Sequence, residues 1–303
     1  MALAKRIVLF LMLNFLVIIV ISAILHLLNI RPYLAANGLN YNSLLVFCFV
    51  WGMGGAFISL ALSRVMAKWM MGVQLIDPKT IDPDARHLLQ TVYELAESAG
   101  IPRPQVGVFR SNEVNAFATG PTQSRSLVAV STGLLNRLGP AEIKAVLGHE
   151  ISHIANGDMV TMTLLQGVVN AFVMFLARVL AYAFSNLGRS RDSSSSNGSF
   201  MSYMLFTYLF EVIFMILGSL VVAAYSRFRE FRADAGGARL TSKEAMISAL
   251  QALKNVQNIK DPKADNPAMA AFKISHPAKP SLLYLFATHP PLDARIQRLK
   301  DGY

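Results

Sequence analysis

The sequence predicts a mainly α membrane protein with four transmembrane helices and a polar α+β domain that contains a small β-sheet. Two observations predict this class. Hydrophobic residues make up 53% of the 303 residues and charged residues only 15%, which is too apolar for an ordinary soluble protein. The apolar residues also concentrate in four segments, whereas Asp, Glu, Pro and Gly return between them. Part of the chain is therefore expected to lie in lipid.

The first apolar segment, residues 7–28, is long enough to span a bilayer. Its roughly 22 residues give a helix of ~33 Å at ~1.5 Å per residue. Lys5 and Arg6 precede it, so a cleaved signal peptide is the alternative. The run exceeds the ~7–15 apolar residues of a signal core and lacks a convincing small-residue cleavage site. We therefore expect an uncleaved span.

The second apolar segment, residues 44–62, is predicted to pair with the first across the short loop at 29–42. Small residues let helices approach closely in lipid. This segment contains Gly52, Gly54 and Gly55. Residues 1–64 are accordingly predicted to form a two-helix transmembrane hairpin.

Residues 159–225 are predicted to form a second transmembrane helix pair, joined by a Ser-rich loop at 185–202. The two apolar segments are residues 159–184 and 203–225. Each carries a charge, Arg178 in the first and Glu211 in the second. Charges inside a membrane are usually paired, so these two residues form an ion pair, or Arg178 instead extends to the lipid interface.

Basic residues cluster at one set of helix ends, which predicts the orientation in the membrane. The residues are Lys5, Arg6, Arg64, Lys68, Arg227, Arg229 and Arg232. The positive-inside rule therefore places both termini and the polar domain in the cytoplasm. Arg189 and Arg191 in the Ser-rich loop weaken this bias and leave partial insertion of the second pair open. The net charge of +10 suits an anionic lipid surface, and no nucleic-acid motif is present.

Residues 65–158 are predicted to form the first part of the polar domain. A helix with apolar periodicity covers 84–98 and ends at Gly100, a glycine typical of a helix C-terminus. Three short runs that favour strands follow, separated by turn residues. They are residues 105–109, 115–119 and 126–130. We expect them to form a small sheet.

The next predicted helix carries the most informative stretch of the chain, His149-Glu150-Ile151-Ser152-His153. Gly139, Pro140 and Glu142 are typical of its N-terminus, and Asn156-Gly157-Asp158 is expected to end it. Two histidines four residues apart share one helix face and can reach one metal ion. This is the HExxH signature of zinc peptidases, in which the glutamate polarises the attacking water. The alternative is a solvated helix that carries two histidines by chance.

A catalytic zinc site needs a third protein ligand. If residues 159–225 form two antiparallel spans, the chain returns to the membrane face that it left. Along the helix axis, His153 lies ~9 Å before the start of the apolar segment 159–184, and Glu230 lies ~8 Å after the end of the apolar segment 203–225. The two residues are therefore expected at a similar distance from the membrane. Glu230 is therefore the predicted third ligand, and Asp234, one turn further on, is placed to bind the distal nitrogen of a ligating histidine. The alternative is a charged helix that anchors to lipid headgroups.

The segments HEISHIANGD, SRFREFRADAGGARL and THPPLDARI, with four apolar segments, resemble the HtpX family of bacterial membrane-bound zinc endopeptidases. That family is related to the CAAX prenyl proteases and the mitochondrial inner-membrane stress peptidases. The resemblance implies a gluzincin-like metalloprotease domain, completed by residues 226–303, and one Zn²⁺ per chain. By the same resemblance His149, His153 and Glu230 are zinc ligands, Glu150 is the general base and acid, and Asp234 orients a ligand.

The resemblance also implies a biological role. It predicts cleavage of misfolded or damaged membrane proteins at the cytoplasmic face of the bacterial inner membrane during envelope stress. The partners of the protein would then be unfolded polypeptide substrates and the lipid bilayer. Association with other membrane proteases is an open alternative.

Two further groups near the motifs have alternative interpretations. His289 either hydrogen-bonds the oxyanion of the reaction, a role near the site that the resemblance supports, or is a solvated loop side chain. Arg295 caps the terminal helix or pairs within it. Asn115, Ala116 and Phe117 either present a strand edge that binds the substrate backbone or belong to an ordinary core strand.

Three rival functions follow from the same motifs. An intramembrane-cleaving zinc protease would carry the histidine motif inside a span, whereas here it lies on a helix with a polar face. A zinc-binding transporter or sensor would not need Glu150. A catalytically silent scaffold would bind damaged membrane proteins without hydrolysis.

Overall fold

In the computed structural model of the protein, residues 40–187, 196–256 and 282–302 are described. The first predicted span, residues 7–28, lies outside them. The helices are α1 (Tyr41–Met71), α2 (Pro83–Ser98), α3 (Thr132–Arg137), α4 (Pro140–Asn156), α5 (Asp158–Leu187), α6 (Ser196–Leu240), α7 (Lys243–Val256) and α8 (Leu292–Lys300). The strands are β1 (Gln74–Leu75), β2 (Gln105–Phe109), β3 (Ala116–Thr119) and β4 (Leu127–Ser131), and 3₁₀ turns cover Gln123–Arg125 and Leu282–Phe286.

The chain divides into two compact units. We call Met1–Ile58 with Thr161–Val222 the apolar unit, and Ser59–Val160 with Ala223–Tyr303 the mixed unit. Among the described residues, three helices are long and apolar enough to cross a membrane: α1, α5 and α6. They contain the second, third and fourth predicted segments. The helix α6 is longer than its apolar run predicts, because it continues unbroken for 45 residues through the charged stretch that contains Glu230.

Close helix packing in the apolar unit depends on glycine, as the sequence suggested, but Gly52 is the one predicted position that shows it among the described residues. A Cβ atom at Gly52 would lie 2.6 Å from the main-chain nitrogen of Ala171, and one at Gly167 would lie 2.5 Å from Sδ of Met53. These glycines therefore let α1 and α5 approach each other. A Cβ atom at Gly54 or Gly55 would meet nothing within 4 Å among the described residues, and their predicted packing against residues 7–28 stays a prediction, because that segment lies outside the described residues.

The two charges of the apolar unit form an ion pair. Nη1 of Arg178 on α5 lies 2.7 Å from Oε1 of Glu211 on α6, and it also donates to the carbonyl of Met174 at 3.0 Å. The side chains are 22% and 33% exposed. The structure therefore favours the paired interpretation of Arg178 over extension to the lipid interface.

The mixed unit contains a four-stranded sheet in the order β1-β2-β4-β3. Strands β2 and β4 are parallel, whereas β3 runs antiparallel to β4 with Phe117 opposite Ala129. The three predicted strands are confirmed, two of them with bounds shifted by one residue. The strand β1 and the helix α3 were not predicted. The first has only two residues, and the second starts where Ser131 Oγ accepts from the Leu134 nitrogen at 3.0 Å.

The helix α4 begins and ends as its sequence predicts. The nitrogen of Gly139 donates to Oε2 of Glu142 at 2.9 Å, and Pro140 occupies the first turn. Gly157 ends the helix with a φ of 63°, a left-handed conformation that costs glycine little. Ile151 and Ile154 pack from α4 into the main hydrophobic core of the mixed unit. Apolar contacts on one face therefore hold α4 in place, while its two histidines lie on another face.

Candidate metal centre

Three donor groups converge inside the mixed unit. Nε2 of His149 and Nε2 of His153 are 3.1 Å apart. Oε2 of Glu230 lies 3.5 Å from Nε2 of His149, and Oε1 of Glu230 lies 3.4 Å from Nε2 of His153. Ligands at ~2.1 Å from a tetrahedral zinc ion are separated by roughly 3.4 Å. The spacing of these donors therefore matches three corners of a metal coordination sphere.

A carboxylate holds the far nitrogen of each imidazole. Nδ1 of His149 lies 3.0 Å from Asp234 Oδ1, and Nδ1 of His153 lies 2.7 Å from Asp158 Oδ2. A carboxylate can only accept, so each Nδ1 carries a proton, and whenever a ring is neutral its lone pair lies on Nε2. The two lone pairs then face each other, an arrangement that a cation between them stabilises.

The two helices that supply these donors approach closely because of two glycines on α6. A Cβ atom at Gly236 would lie 2.4 Å from Oγ of Ser152, and one at Gly237 would lie 3.0 Å from the main-chain nitrogen of His149. Oγ of Ser152 instead donates to the carbonyl of Gly148 at 2.8 Å, within its own helix. The small residues thus bring Glu230 within reach of α4.

Arg295 on α8 supports Asp234. Its Nε and Nη2 donate to the two carboxylate oxygens at 2.8 and 2.6 Å, a bidentate geometry that fixes both groups. Nη2 also lies 3.4 Å from Nδ1 of His149. The expectation that Arg295 caps or pairs within its own helix is therefore wrong, because its partner lies on α6. Burial alone would lower the pKa of Arg295, but the charge of Asp234 raises it.

The charges around the histidines raise their pKa values. Burial lowers the pKa of His149, yet the hydrogen bonds with Asp234 and Glu230 outweigh this and raise it from 6.5 to about 9. For His153, burial also lowers the pKa, and the charge of Glu230 with the hydrogen bond to Asp158 raises it above its ordinary value. The anionic surroundings therefore favour positive charge at this point, whether a proton or a metal cation supplies it.

The site passes a further test of fit to a metal. Oε2 of Glu230 is fully buried and makes no hydrogen bond with the described residues, although Nδ1 of His289 lies 2.9 Å away. A buried carboxylate oxygen without a hydrogen bond is costly. Two imidazoles and a carboxylate are also the donor set of many catalytic zinc sites. The residues that are present therefore fit a zinc-like divalent ion, and the only cluster of this kind within the described parts of the chain is His149, His153 and Glu230.

Two further predicted residues lie near this cluster. Glu150 is buried next to His149 on α4, and on a helix it neighbours His153 at the i+3 position. His289 is only 15% exposed and lies against Glu230. The interpretation of His289 as a solvated loop side chain is therefore wrong.

The strand β3 borders the sheet among the described residues, and its predicted residues are buried. Asn115, Ala116 and Phe117 are at most 5% exposed, so their side chains offer little surface. The main chain differs. The nitrogen of Ser131 donates to the carbonyl of Asn115 at 2.8 Å, and antiparallel ladders alternate. The main-chain groups of Ala116 and Ala118 therefore turn away from β4, towards the outer edge of the sheet.

Asp158 was missed as a functional residue by sequence reasoning, which treated it as part of a helix terminator. The sequence contained only part of the information that would have indicated its role. It follows His153 by five residues, a spacing that leaves a continuous helix face, and the turn at Gly157 is what brings its carboxylate back to the ring.

A metal site with two histidines from one helix and a glutamate from another, beside a second glutamate, defines a metallopeptidase-type centre. The chain belongs to peptidase family M48, whose model matches residues 83–302. It is 49% identical over 298 residues to a protein named Protease HtpX from Chromohalobacter salexigens, covering 98% of each chain. It is 47% identical over 299 residues to a Protease HtpX homolog from Methylacidiphilum infernorum, again with 98% of each chain covered.

The fold also has a solved counterpart. The crystal structure of S. mikatae Ste24p matches 99% of this chain and 67% of its own with a TM-score of 0.57, at 19% sequence identity. The protein is thus a membrane-associated metalloprotease of the HtpX type, and its family implies a metal ion.

Proposed function

We propose that the protein is a zinc-dependent endopeptidase that cleaves misfolded or damaged membrane proteins at the cytoplasmic face of the bacterial inner membrane. The convergence of the two Nε2 atoms with the buried carboxylate of Glu230, beside Glu150, is the observation that carries the proposal. His149, His153 and Glu230 would hold one Zn²⁺. Zinc, when bound, polarises the scissile carbonyl and the attacking water.

The remaining chemistry comes from residues of the chain. Glu150 takes the proton from the attacking water and then delivers it to the nitrogen of the leaving amine. Asp234 and Asp158 keep the histidine rings in the Nδ1-protonated form, and Arg295 holds Asp234 in place. His289 donates a hydrogen bond to the oxyanion that develops at the cleaved carbonyl.

The substrate binds as an added strand. Ala116 and Ala118 supply main-chain donors and acceptors along β3, so an extended polypeptide of varied sequence can pair there. The loop after β3 is attached to the C-terminal end of α4, because Nε2 of Gln123 donates to the Ala155 carbonyl at 2.9 Å. Recognition through the main chain suits unfolded substrates, which expose it.

The location follows from the helices and from the charge pattern. Three described helices are able to cross a bilayer, and the basic residues at their ends favour a cytoplasmic position for the mixed unit. A site at the lipid surface would then act on polypeptide segments that emerge from the membrane.

Replacing Glu150 with Gln tests the proposal. The amide cannot take up a proton, so we expect proteolysis of casein by the purified full-length protein to fall by ~10²–10⁴-fold, while the metal content stays at one zinc per chain. Glu94→Gln, at an exposed glutamate on α2, is the matched control and should keep full activity. Full activity of Glu150→Gln would reject the mechanism. A wild-type protein that binds zinc but cleaves nothing would favour a sensor or scaffold instead.

A further inference from the structure

Arg227 connects the helix of the third predicted ligand to the segment that carries His289. Its Nη1 donates to the carbonyl of Leu285 at 2.9 Å and to that of Ala287 at 2.8 Å. Its guanidinium also lies over the ring of Tyr284, 5.3 Å from the ring centre. A single side chain from α6 thus contacts three of the four residues 284–287.

These contacts place the segment beside the metal centre. Arg227 precedes Glu230 by three residues, so both side chains leave α6 from nearly the same face. Ala287 precedes His289 by two residues, and Nδ1 of His289 lies 2.9 Å from Oε2 of Glu230. Shifting the backbone at 285–287 would therefore shift the imidazole relative to the carboxylate.

The other end of the segment is attached to the same helix. Arg295 on α8 forms the bidentate pair with Asp234 of α6. Two guanidinium groups thus connect α6 to residues 284–295, one from each side, with His289 between them. Arg295 also lies beside His149, a proposed ligand, whereas within the described part of the chain the hydrogen bonds of Arg227 are with the segment alone.

We propose that Arg227 is a positioning residue that holds His289 against Glu230 for oxyanion binding. This proposal depends on the role of His289 in the proposed function. A guanidinium presents several donors in one plane and stacks on aromatic rings, which a lysine ammonium does not reproduce. The competing role for a basic residue at this level is attraction to lipid headgroups, and a lysine would serve that role equally well.

The test is a double-mutant cycle on the full-length protein in detergent, with kcat, KM and zinc content measured on a fluorogenic peptide. We expect Arg227→Ala to lower kcat by about tenfold to hundredfold, since small misplacements of a catalytic group have effects of this size. KM and zinc content should change little. In the His289→Ala background the same substitution should have no further effect, and Arg227→Lys should restore only part of kcat.

A second readout does not depend on activity. Hydrogen exchange of the amides at 284–289 should become faster in Arg227→Ala. It should not change in Arg239→Ala, a matched control at an exposed arginine further along α6. Unchanged exchange would reject the contact in solution.

The outcomes separate the two proposals. Equal losses of kcat from Arg227→Ala with and without His289 would overturn the positioning role, as would full rescue by lysine or loss of zinc from the variant. If His289→Ala keeps full kcat, the oxyanion role of His289 fails, and the positioning role fails with it. Activity in Glu150→Gln would instead reject the proposed function and leave the exchange measurement as the test of the contact.

Discussion

Among the described residues, two clusters of buried or half-buried charge differ in how their charged atoms are paired. In the apolar unit, Nη1 of Arg178 meets Oε1 of Glu211 and one main-chain carbonyl, so the pair is closed on itself. At the candidate metal centre, Oε2 of Glu230 lies 2.9 Å from Nδ1 of His289 and 3.7 Å from Nη1 of Arg295, yet it makes no hydrogen bond among the described residues. A closed pair needs nothing further, whereas converging donor atoms that close no hydrogen bonds with one another fit a bound cation.

Replacing Glu230 should have the largest effect, because the two clusters should then respond most differently to the loss of a carboxylate. In Glu230→Ala the third donor is lost, so we expect zinc affinity to fall and casein cleavage to drop by at least ~10³-fold. Glu211→Gln, at the closed pair, should keep its zinc. Metal analysis after dialysis and a cleavage assay measure both. An unchanged zinc affinity in Glu230→Ala would reject Glu230 as a ligand.

The metal-free protein should respond to pH through His149. Its pKa in the folded state, about 9, is above the ordinary 6.5. Proton binding therefore stabilises the metal-free fold fully below pH ~6.5, and this contribution disappears as the pH rises through about 9. The loss is at most about 3 kcal/mol.

Thermal unfolding in EDTA across pH 6 to 10 measures this loss. In His149→Gln the decrease between pH 6.5 and 9 should be smaller, because one titrating group is gone. A decrease of the same size in both proteins would contradict the assignment of the effect to His149.

Asp158→Asn should have an intermediate effect. The amide can donate to Nδ1 of His153 and no longer requires a proton there, so the ring loses its fixed orientation. Substitutions of such supporting carboxylates typically reduce metal affinity 10–100-fold. Zinc titration against a competing chelator measures the change. An affinity equal to that of the wild type would show that Asp158 does not orient the ligand.

The smallest effect is expected at the closed pair. Arg178→Met or Glu211→Met alone should destabilise the protein by about 1–3 kcal/mol, because each leaves one charge unpaired. The double variant should recover most of this loss. Measuring the thermal stability of the two single variants and the double variant in detergent tests this expectation. If the loss in the double variant equals the sum of the two single losses, the two charges do not interact.

The sequence predicted the elements that carry the candidate metal ligands better than the contacts around them. The ends of α4 followed from Gly139, Pro140 and Gly157, since capping chemistry is local. The level of Glu230 followed from helical rise, because its distance from an apolar boundary can be counted in residues. Both predictions used only short-range regularities.

The remaining contacts could not be predicted in this way. Asp234 and Arg295 are 61 residues apart, and no periodicity connects them. Asp158 reaches His153 because the left-handed residue Gly157 interrupts the helix between them. The strand β1 has two exposed residues, too few to show an alternating pattern.

The pair Gly236 and Gly237 has a consequence for the choice of metal ion. Because these residues have no side chains, the main chains of α4 and α6 lie close together beside the donor atoms. Peptide backbones in packed helices yield little. An ion with a larger radius therefore has to be accommodated by turning the ligand side chains, against the carboxylates that hold the two histidine rings, so the packing of the two helices favours a small ion.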